Sequence, residues 1–236
     1  MSSFFQWKIF LQDTGGGQTY LQWLISAWGW TLAVSFCSWA IAIIVGVFIG
    51  IIRTLPNKFL LFIGNTWTEV FRNIPLIIQI FIWYHVIPSI FLSLRQVPPF
   101  ILVVIALGFF TSARISELVK AGMESLSKGQ LQAGLALGLT RSQTYRYILL
   151  PLAFRIIIPP LTSESMNIIK NSSVAFAVSI SELTMFALQA GEETSRNIEI
   201  FFATTFLYFV SAFAVNRLAL YIENRLKLPG AIGGAR

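Results

Sequence analysis

Charged side chains inside apolar segments are the residues of this sequence that packing alone explains least well. Burying an ionised group in lipid is expensive, so such a residue usually serves a function. Glu69 and Arg72 lie three apart in one apolar segment, a spacing that favours a mutual ion pair on a helix. Glu164 and Lys170 lie in a second apolar segment, with Asn167 midway between them.

The second segment carries a polar stripe. Glu164 and Asn167 share a helix face, Lys170 lies further round, and Asn171 follows Asn167 by four residues. Two interpretations stay open. The stripe lines a pathway for a zwitterionic solute, or its members pair with one another or with the backbone and fix packing. The candidate pathway residues are Ser163, Glu164, Asn167, Lys170, Asn171, Arg72 and Gln79.

Other chemistries find no support in the residue types. His85 and Cys37 are the only histidine and cysteine, so a zinc site or a disulfide framework is not expected. The Gly-x-x-x-x-Gly-Lys-Ser/Thr pattern of a P-loop does not occur, so the chain cannot bind ATP by that route. We therefore expect no metal, no cofactor and no catalytic constellation in this chain.

The composition requires a membrane. Hydrophobic residues make up 56% of the 236, and only 11% are charged, whereas soluble domains carry about 25% charged residues. The mean hydropathy is +0.72. Gly46 and Gly50 fit a close helix-packing site, either within the chain or with a second copy. Stretches long enough to span a bilayer predict an all-helical, single-domain protein with about five spans, near residues 28–52, 66–91, 99–113, 156–178 and 201–220.

Basic residues predict how the chain is oriented. Lys8, Arg95 and Arg196 would lie on one side of the membrane, and twelve of the 17 basic residues on the other. The positive-inside rule then places the N-terminus outside and the C-terminus in the cytoplasm. The aromatic residues of the segment 1–24 suit the membrane interface. A nucleic-acid-binding role is not expected, because the basic residues form no stripe and have no aromatic stacking platform.

The longest polar connection, residues 114–155, has at its centre the pattern of two short helices joined at a glycine. Leu135 and Leu137 lie in a short predicted helix, and Gly138 suits the left-handed position that ends it. Thr140 and Gln143 have the spacing of a capping box that starts a second helix. Pro151 is expected to constrain the chain as it turns back towards the membrane. This elbow either docks onto a soluble partner or packs against the spans of its own chain.

The elbow resembles the cytoplasmic signature of ABC importer permeases. That signature is Glu-Ala-Ala, three residues, Gly, nine residues and Ile-x-Leu-Pro. The sequence keeps its spacing but has Gln132 in place of Glu and Gly134 in place of the second Ala. The resemblance implies contact with a separate ATPase through Gln132, Ala133, Gly134, Gly138, Leu139, Ile148, Leu150 and Pro151.

Two further segments narrow the resemblance to the polar amino-acid (histidine/glutamine/glutamate-type) permeases. They are residues 71–79, which read Phe-Arg-Asn-Ile-Pro-Leu-Ile-Ile-Gln, and residues 159–173, which begin with Pro159 and Pro160. The start, Trp7-x-Ile9-Phe10, and the end, from Leu228, resemble the glutamate/aspartate branch. The family implies a type I ABC importer permease fold, the bacterial inner membrane and alternating access.

The resemblance also implies partners. They are a second permease subunit, more often a different one than a copy, two ATPases that hold ATP and Mg²⁺, a periplasmic amino-acid-binding protein, and an L-amino-acid substrate. The alternatives are a stand-alone secondary transporter or channel, and a membrane enzyme. A secondary transporter should show an inverted repeat, and five unequal spans give little sign of one.

Overall fold

The computed structural model describes residues 6–126 and 128–226, and within them the chain is helical. The longer helices of these residues are Tyr20–Ile52 (α1), Lys58–Asn73 (α2), Leu76–Ile90 (α3), Pro99–Glu124 (α4), Lys128–Ala136 (α5), Arg141–Val178 (α6), Leu183–Thr194 (α7) and Asn197–Leu226 (α8). Short 3-10 helices cover Trp7–Leu11 and Leu92–Gln96. The predicted ending from Leu228 lies outside the described residues.

Four helices (α1, α4, α6 and α8) are each long and apolar enough to cross a membrane. The predicted second span is two helices, α2 and α3, which meet at an angle of 105°. Pro75 causes the bend. A proline disfavours helical backbone at the residue before it, and Ile74 is accordingly extended.

The close packing of α1 on α4 shows in which direction the two helices run. A Cβ built at Gly50 would lie 2.5 Å from Cβ of Val119, and one at Gly108 would lie 2.8 Å from Cγ2 of Ile41. Residue numbers rise together along the two helices, so α1 and α4 run parallel. The end of α1 and the start of α4 therefore lie at opposite ends of the bundle, and the α2–α3 pair connects them. Counted as one bent span, this pair brings the spans of the described residues to five. The predicted Gly46/Gly50 site thus packs within the chain.

The two ends of the bundle differ. We call the end that holds α5 the loop end, and the end that holds α7 the far end. At the far end the N-terminal segment is not only a surface layer, because Ile9 and Phe10 are buried in one core cluster with Phe186 of α7. The Gln6 amide donates to a carboxylate oxygen of Glu199 at 2.8 Å. The helix α7 was not predicted from the sequence.

All four long helices are longer than the spans predicted for them, and the extensions of α4 and α6 take in part of the predicted loop. The third predicted span ends at residue 113, whereas α4 continues to Glu124. The prediction that the chain turns at Pro151 is wrong, because α6 is continuous from Arg141 through this proline. A π-helical turn, Tyr145–Leu149, comes directly before Pro151. A π-helical hydrogen bond reaches five residues back, and proline has no N–H to donate, so the altered pairing lets the helix pass the proline.

Candidate functional site

The loop end carries a helical hairpin formed by α5 and the first turns of α6. Gly138 ends α5 with a φ of 81°, and its amide donates to the Leu135 carbonyl. Thr140 then begins α6 with a full capping box, since its hydroxyl accepts from the Gln143 amide and the Gln143 side chain accepts from the Thr140 amide. Both features were predicted from the local sequence.

The inner side of this hairpin is fastened to the bundle. The Tyr145 hydroxyl donates to the Thr54 carbonyl at 3.0 Å, next to the end of α1. Leu149 and Met123 share a buried cluster with Ala153. The start of α6 is therefore held to the ends of α1 and α4.

Gly134 explains one departure from the family signature. A Cβ built there would lie 2.5 Å from Cγ2 and 2.9 Å from Oγ1 of Thr144. Thr144 is fully buried. Since the threonine occupies the volume that an alanine methyl group would need, the two residues are complementary in size.

The outer side of the hairpin is open. Leu137 is 79% exposed and Leu135 is 41% exposed. Gln132 and Ala133 are exposed on the same helix. Among the remaining predicted coupling residues, Gly138 and Pro151 are exposed, while Leu139, Ile148 and Leu150 are half-buried. Within residues 6–126 and 128–226, no segment covers this outer side, where Leu137 is exposed.

A bidentate ion pair joins α4 to α6. Nε and Nη2 of Arg114 donate to the two carboxylate oxygens of Glu164 at 2.7 and 2.8 Å. The Glu164 side chain is 11% exposed, whereas that of Arg114 is 43% exposed. The sequence had placed Arg114 in the loop, so its part in this site was missed.

The other residues of the polar stripe lie near Glu164 on α6. The Asn167 side chain donates to Glu164 at 3.3 Å, as the predicted shared face requires. Ser163 and Lys170 are exposed, and Asn171 is half-buried. The five stripe residues thus lie on one side of α6, and Arg114 adds a cation to them.

Arg72 belongs to a different group. Its guanidinium lies 3.3 Å from a carboxylate oxygen of Glu69, as predicted, and 3.5 Å from one of Glu117 on α4. Glu117 also accepts from the buried Arg53 at 2.9 Å. These four side chains tie α1, α2 and α4 together near the loop end.

Gln79 lies beside the bend between α2 and α3. Its Nε2 donates to the carbonyls of Phe71 and Ile74, both at 2.8 Å, and the residue is 3% exposed. These carbonyls lose their helical partners at the bend, so Gln79 satisfies groups that would otherwise be buried without hydrogen bonds. Its place in a pathway stays a prediction.

Glu182 is a fully buried carboxylate that begins α7 near the far end. Burial raises the pKa of its carboxyl above the usual range. The hydrogen bonds donated by the Thr184 amide, the Tyr208 hydroxyl and the Met185 amide lower the pKa, but by less. Its carboxylate accepts at 2.6 Å from Tyr208 and so holds the start of α7 against α8.

Comparison with known proteins identifies the family of this chain. A family model described as the binding-protein-dependent transport system inner membrane component matches residues 42–228. The chain belongs to this family. The glutamate/aspartate import permease protein GltJ of Escherichia coli K12 is 42% identical, over 99% of this chain and 100% of its own length. GltK, the glutamate/aspartate import permease protein of Escherichia coli strain CFT073, is 28% identical, over 83% of this chain and 89% of its own.

A solved structure has the same fold. It is titled the crystal structure of an amino acid ABC transporter with histidines, and it matches with a TM-score of 0.77 and 27% identity, over 87% of this chain and 95% of that one. The predicted membership of the polar amino-acid permeases and the predicted all-helical permease fold are confirmed.

Proposed function

We propose that this permease subunit of an amino-acid ABC importer carries acidic or neutral polar L-amino acids by alternating access. The relative that is 42% identical over the whole chain is named for glutamate/aspartate import. The single observation that carries the mechanism is the uncovered apolar hairpin, whose Leu137 is 79% exposed while its base is fixed to α1 and α4. A transport component of this family is not itself an enzyme.

In this mechanism a separate ATPase binds the outer side of the hairpin. Leu137 and Ala133, both exposed and four residues apart on one helix face, enter a groove on the ATPase, as the apolar face of a helix does in other helix-in-groove complexes. The ATPases hold ATP and Mg²⁺, and their closure pushes the hairpin. Because Tyr145 and Leu149 attach the hairpin to the bundle, the push reaches the ends of α1 and α4.

The substrate passes along the polar stripe of α6. The carboxylate of Glu164 and the guanidinium of Arg114 supply opposite charges, which suits a zwitterion. Lys170 and Ser163 are exposed on a membrane-spanning helix, where contact with lipid would be costly. Arg72 is paired with Glu69 and Glu117 near the loop end, so any contact that it makes with substrate would be at the exit there. Gln79 lies at the bend between α2 and α3 and would contact substrate only from that bend.

A second permease subunit covers this stripe. An exposed cation such as Arg114 needs a polar surrounding within the membrane, and a partner that carries its own polar stripe provides it. One Escherichia coli strain has both a GltJ and a GltK, each named as a glutamate/aspartate import permease protein. By analogy the second subunit here is a different chain, and the two pair around a central pathway with two ATPases.

The orientation follows from charge. Arg53, Lys58, Arg141 and Arg146 lie near the loop end, while Glu192, Glu193 and Glu199 lie near the far end. The positive-inside rule places the loop end in the cytoplasm, and the far end faces an amino-acid-binding protein in the periplasm. The chain is a multi-pass membrane protein, and the bacterial relatives favour the inner membrane.

Reconstituted transport tests the function. The chain would be purified with a co-expressed permease, ATPase and binding protein from its own genome and placed in liposomes. We expect uptake of labelled glutamate or aspartate that requires both ATP and the ATPase. Uptake by this chain alone, driven by an ion gradient without an ATPase, would overturn the proposal in favour of a secondary transporter.

A further inference from the structure

An apolar groove runs along the side of the bundle between α1, α6 and α8. Two cavities of about 610 and 260 Å³ form it, and Trp39, Ser165, Val215 and Leu218 line both of them. Because the cavities share these four residues, they are parts of one groove. Their volumes fall in the range of about 300–1,000 Å³ that is typical of small-molecule sites.

The length of the groove matches one leaflet of a bilayer. On α6 its lining extends from Ile158 to Ile169, which is roughly 16 Å at 1.5 Å per residue. The hydrocarbon core of a bilayer is about 30 Å thick, so each leaflet contributes about half of that. On α8 the groove covers Val215 to Ile222, in the half of the helix nearer the loop end, and on α1 its lining from Leu32 to Trp39 lies across the middle of the helix.

Two arginines stand at the loop end of this groove. Arg155 lies one turn before Ile158 on α6, and Arg225 lies one turn after Ile222 on α8. Both are exposed. Arg225 donates to the Tyr221 hydroxyl at 3.1 Å, and within the described residues neither arginine lies within 4.0 Å of a carboxylate. Glu223 is two residues from Arg225, about 160° round α8.

The groove faces away from the polar stripe. Arg155 lies within about 20° of the groove residue Thr162 around the axis of α6, whereas Asn167 lies about 140° from it. If the proposed function is correct, the second permease subunit covers the stripe. The groove then faces lipid.

We propose that this groove is a binding site for an anionic phospholipid of the cytoplasmic leaflet. One acyl chain lies against Trp39, Val215 and Leu218, and the phosphate is held between Arg155 and Arg225. Apolar burial supplies affinity along the chain, and the two guanidinium groups select a negatively charged headgroup over a zwitterionic one. The placement in the cytoplasmic leaflet rests on the proposed function.

Native mass spectrometry of the assembled importer tests this site. The purified complex would be exchanged into detergent containing equal amounts of phosphatidylglycerol and phosphatidylcholine. We expect preferential retention of phosphatidylglycerol, reduced at least about tenfold in an Arg155→Gln/Arg225→Gln variant, since each basic residue near an anionic headgroup contributes about fivefold. Arg217→Gln is the matched control, because Arg217 is an exposed arginine on α8 that packs over Phe213, away from the groove.

The groove itself is tested separately. Ala219→Phe fills the smaller cavity without changing charge and should also lower lipid retention. A photo-crosslinking residue at Leu218 should attach to phospholipid. Equal retention of both lipids, equal loss in the Arg217 control, or crosslinking of Leu218 to the second permease would overturn the lipid site. Uptake by the wild-type complex is measured in parallel, so a failure of transport is distinguished from a failure of lipid binding.

Discussion

Arg114 and Glu164 are separated by 50 residues in sequence, yet they form a bidentate ion pair between α4 and α6. The sequence identified Glu164 because a carboxylate in an apolar segment is conspicuous. It did not identify Arg114, because the estimate of a span from hydropathy stops at the first charge, and this arginine follows residue 113. Pairing between distant helices leaves no trace in local periodicity. The structure was needed to supply the partner.

Replacing Glu164 by Gln should weaken transport. The variant removes the bidentate carboxylate partner of the Arg114 guanidinium and takes the negative charge out of the proposed pathway. We expect uptake at limiting substrate to fall about tenfold or more, while the complex still assembles. Initial uptake rates over a range of substrate concentrations measure this effect.

The control is the neutral pair Arg114→Gln/Glu164→Gln. It removes both charges, so neither an unpaired guanidinium nor an unpaired carboxylate is left in the membrane. If the pair serves substrate passage, the double variant assembles normally but stays impaired in uptake. Kinetics restored to those of the wild type would show instead that the pair only fixes the packing of α4 on α6.

The hairpin of α5 and α6 shows what local sequence determines at the scale of an element. Gly138 with positive φ and the capping box at Thr140 depend on neighbouring residues alone, and both were predicted correctly. The bend between α2 and α3 was not predicted, although Pro75 and Gln79 signal it in retrospect. A bend depends on which tertiary partners take up the freed carbonyls, and those partners come from the fold.

Gly134→Ala, which restores the family residue, should destabilise this hairpin. The added methyl group would lie 2.5 Å from Cγ2 of the buried Thr144, and overpacking of this kind costs about 1–3 kcal/mol. We expect less ATPase retained on the purified permease and a lower thermal midpoint.

The double variant Gly134→Ala/Thr144→Ala tests the size complementarity. It removes the clashing atoms, while the backbone hydrogen bond from Thr144 to Thr140 is kept. Most of the retained ATPase should return. A single Gly134→Ala variant that behaves as the wild type would contradict the tight contact.

At the scale of the whole molecule, α1 and α4 run parallel, and the bent α2–α3 pair connects them, so the described residues hold five spans when that pair is counted as one. The placement of the two ends of the chain on opposite sides of the membrane stays a prediction from the sequence. The charges then differ between the ends, and the uncovered apolar hairpin lies at the basic end. The same arrangement leaves a polar stripe and an apolar groove on different sides of α6, one suited to a protein partner and one to lipid.

Coupling through the hairpin is the central claim, and Gly138→Val tests it most directly. No atom would meet an added Cβ at Gly138, but its φ of 81° is strained for a β-branched residue. Gly17→Val is the matched control, because Gly17 has a φ of 79° and equally open surroundings but lies near the far end. Gly138→Asn should retain function, since asparagine tolerates this conformation.

The measurement is the number of substrate molecules taken up per ATP hydrolysed in proteoliposomes. We predict that this ratio falls at least about tenfold in Gly138→Val and stays near the wild-type value in Gly17→Val and Gly138→Asn, with the permease inserted in the membrane in every case. An unchanged ratio in Gly138→Val would contradict the claim that this hairpin couples ATP hydrolysis to transport.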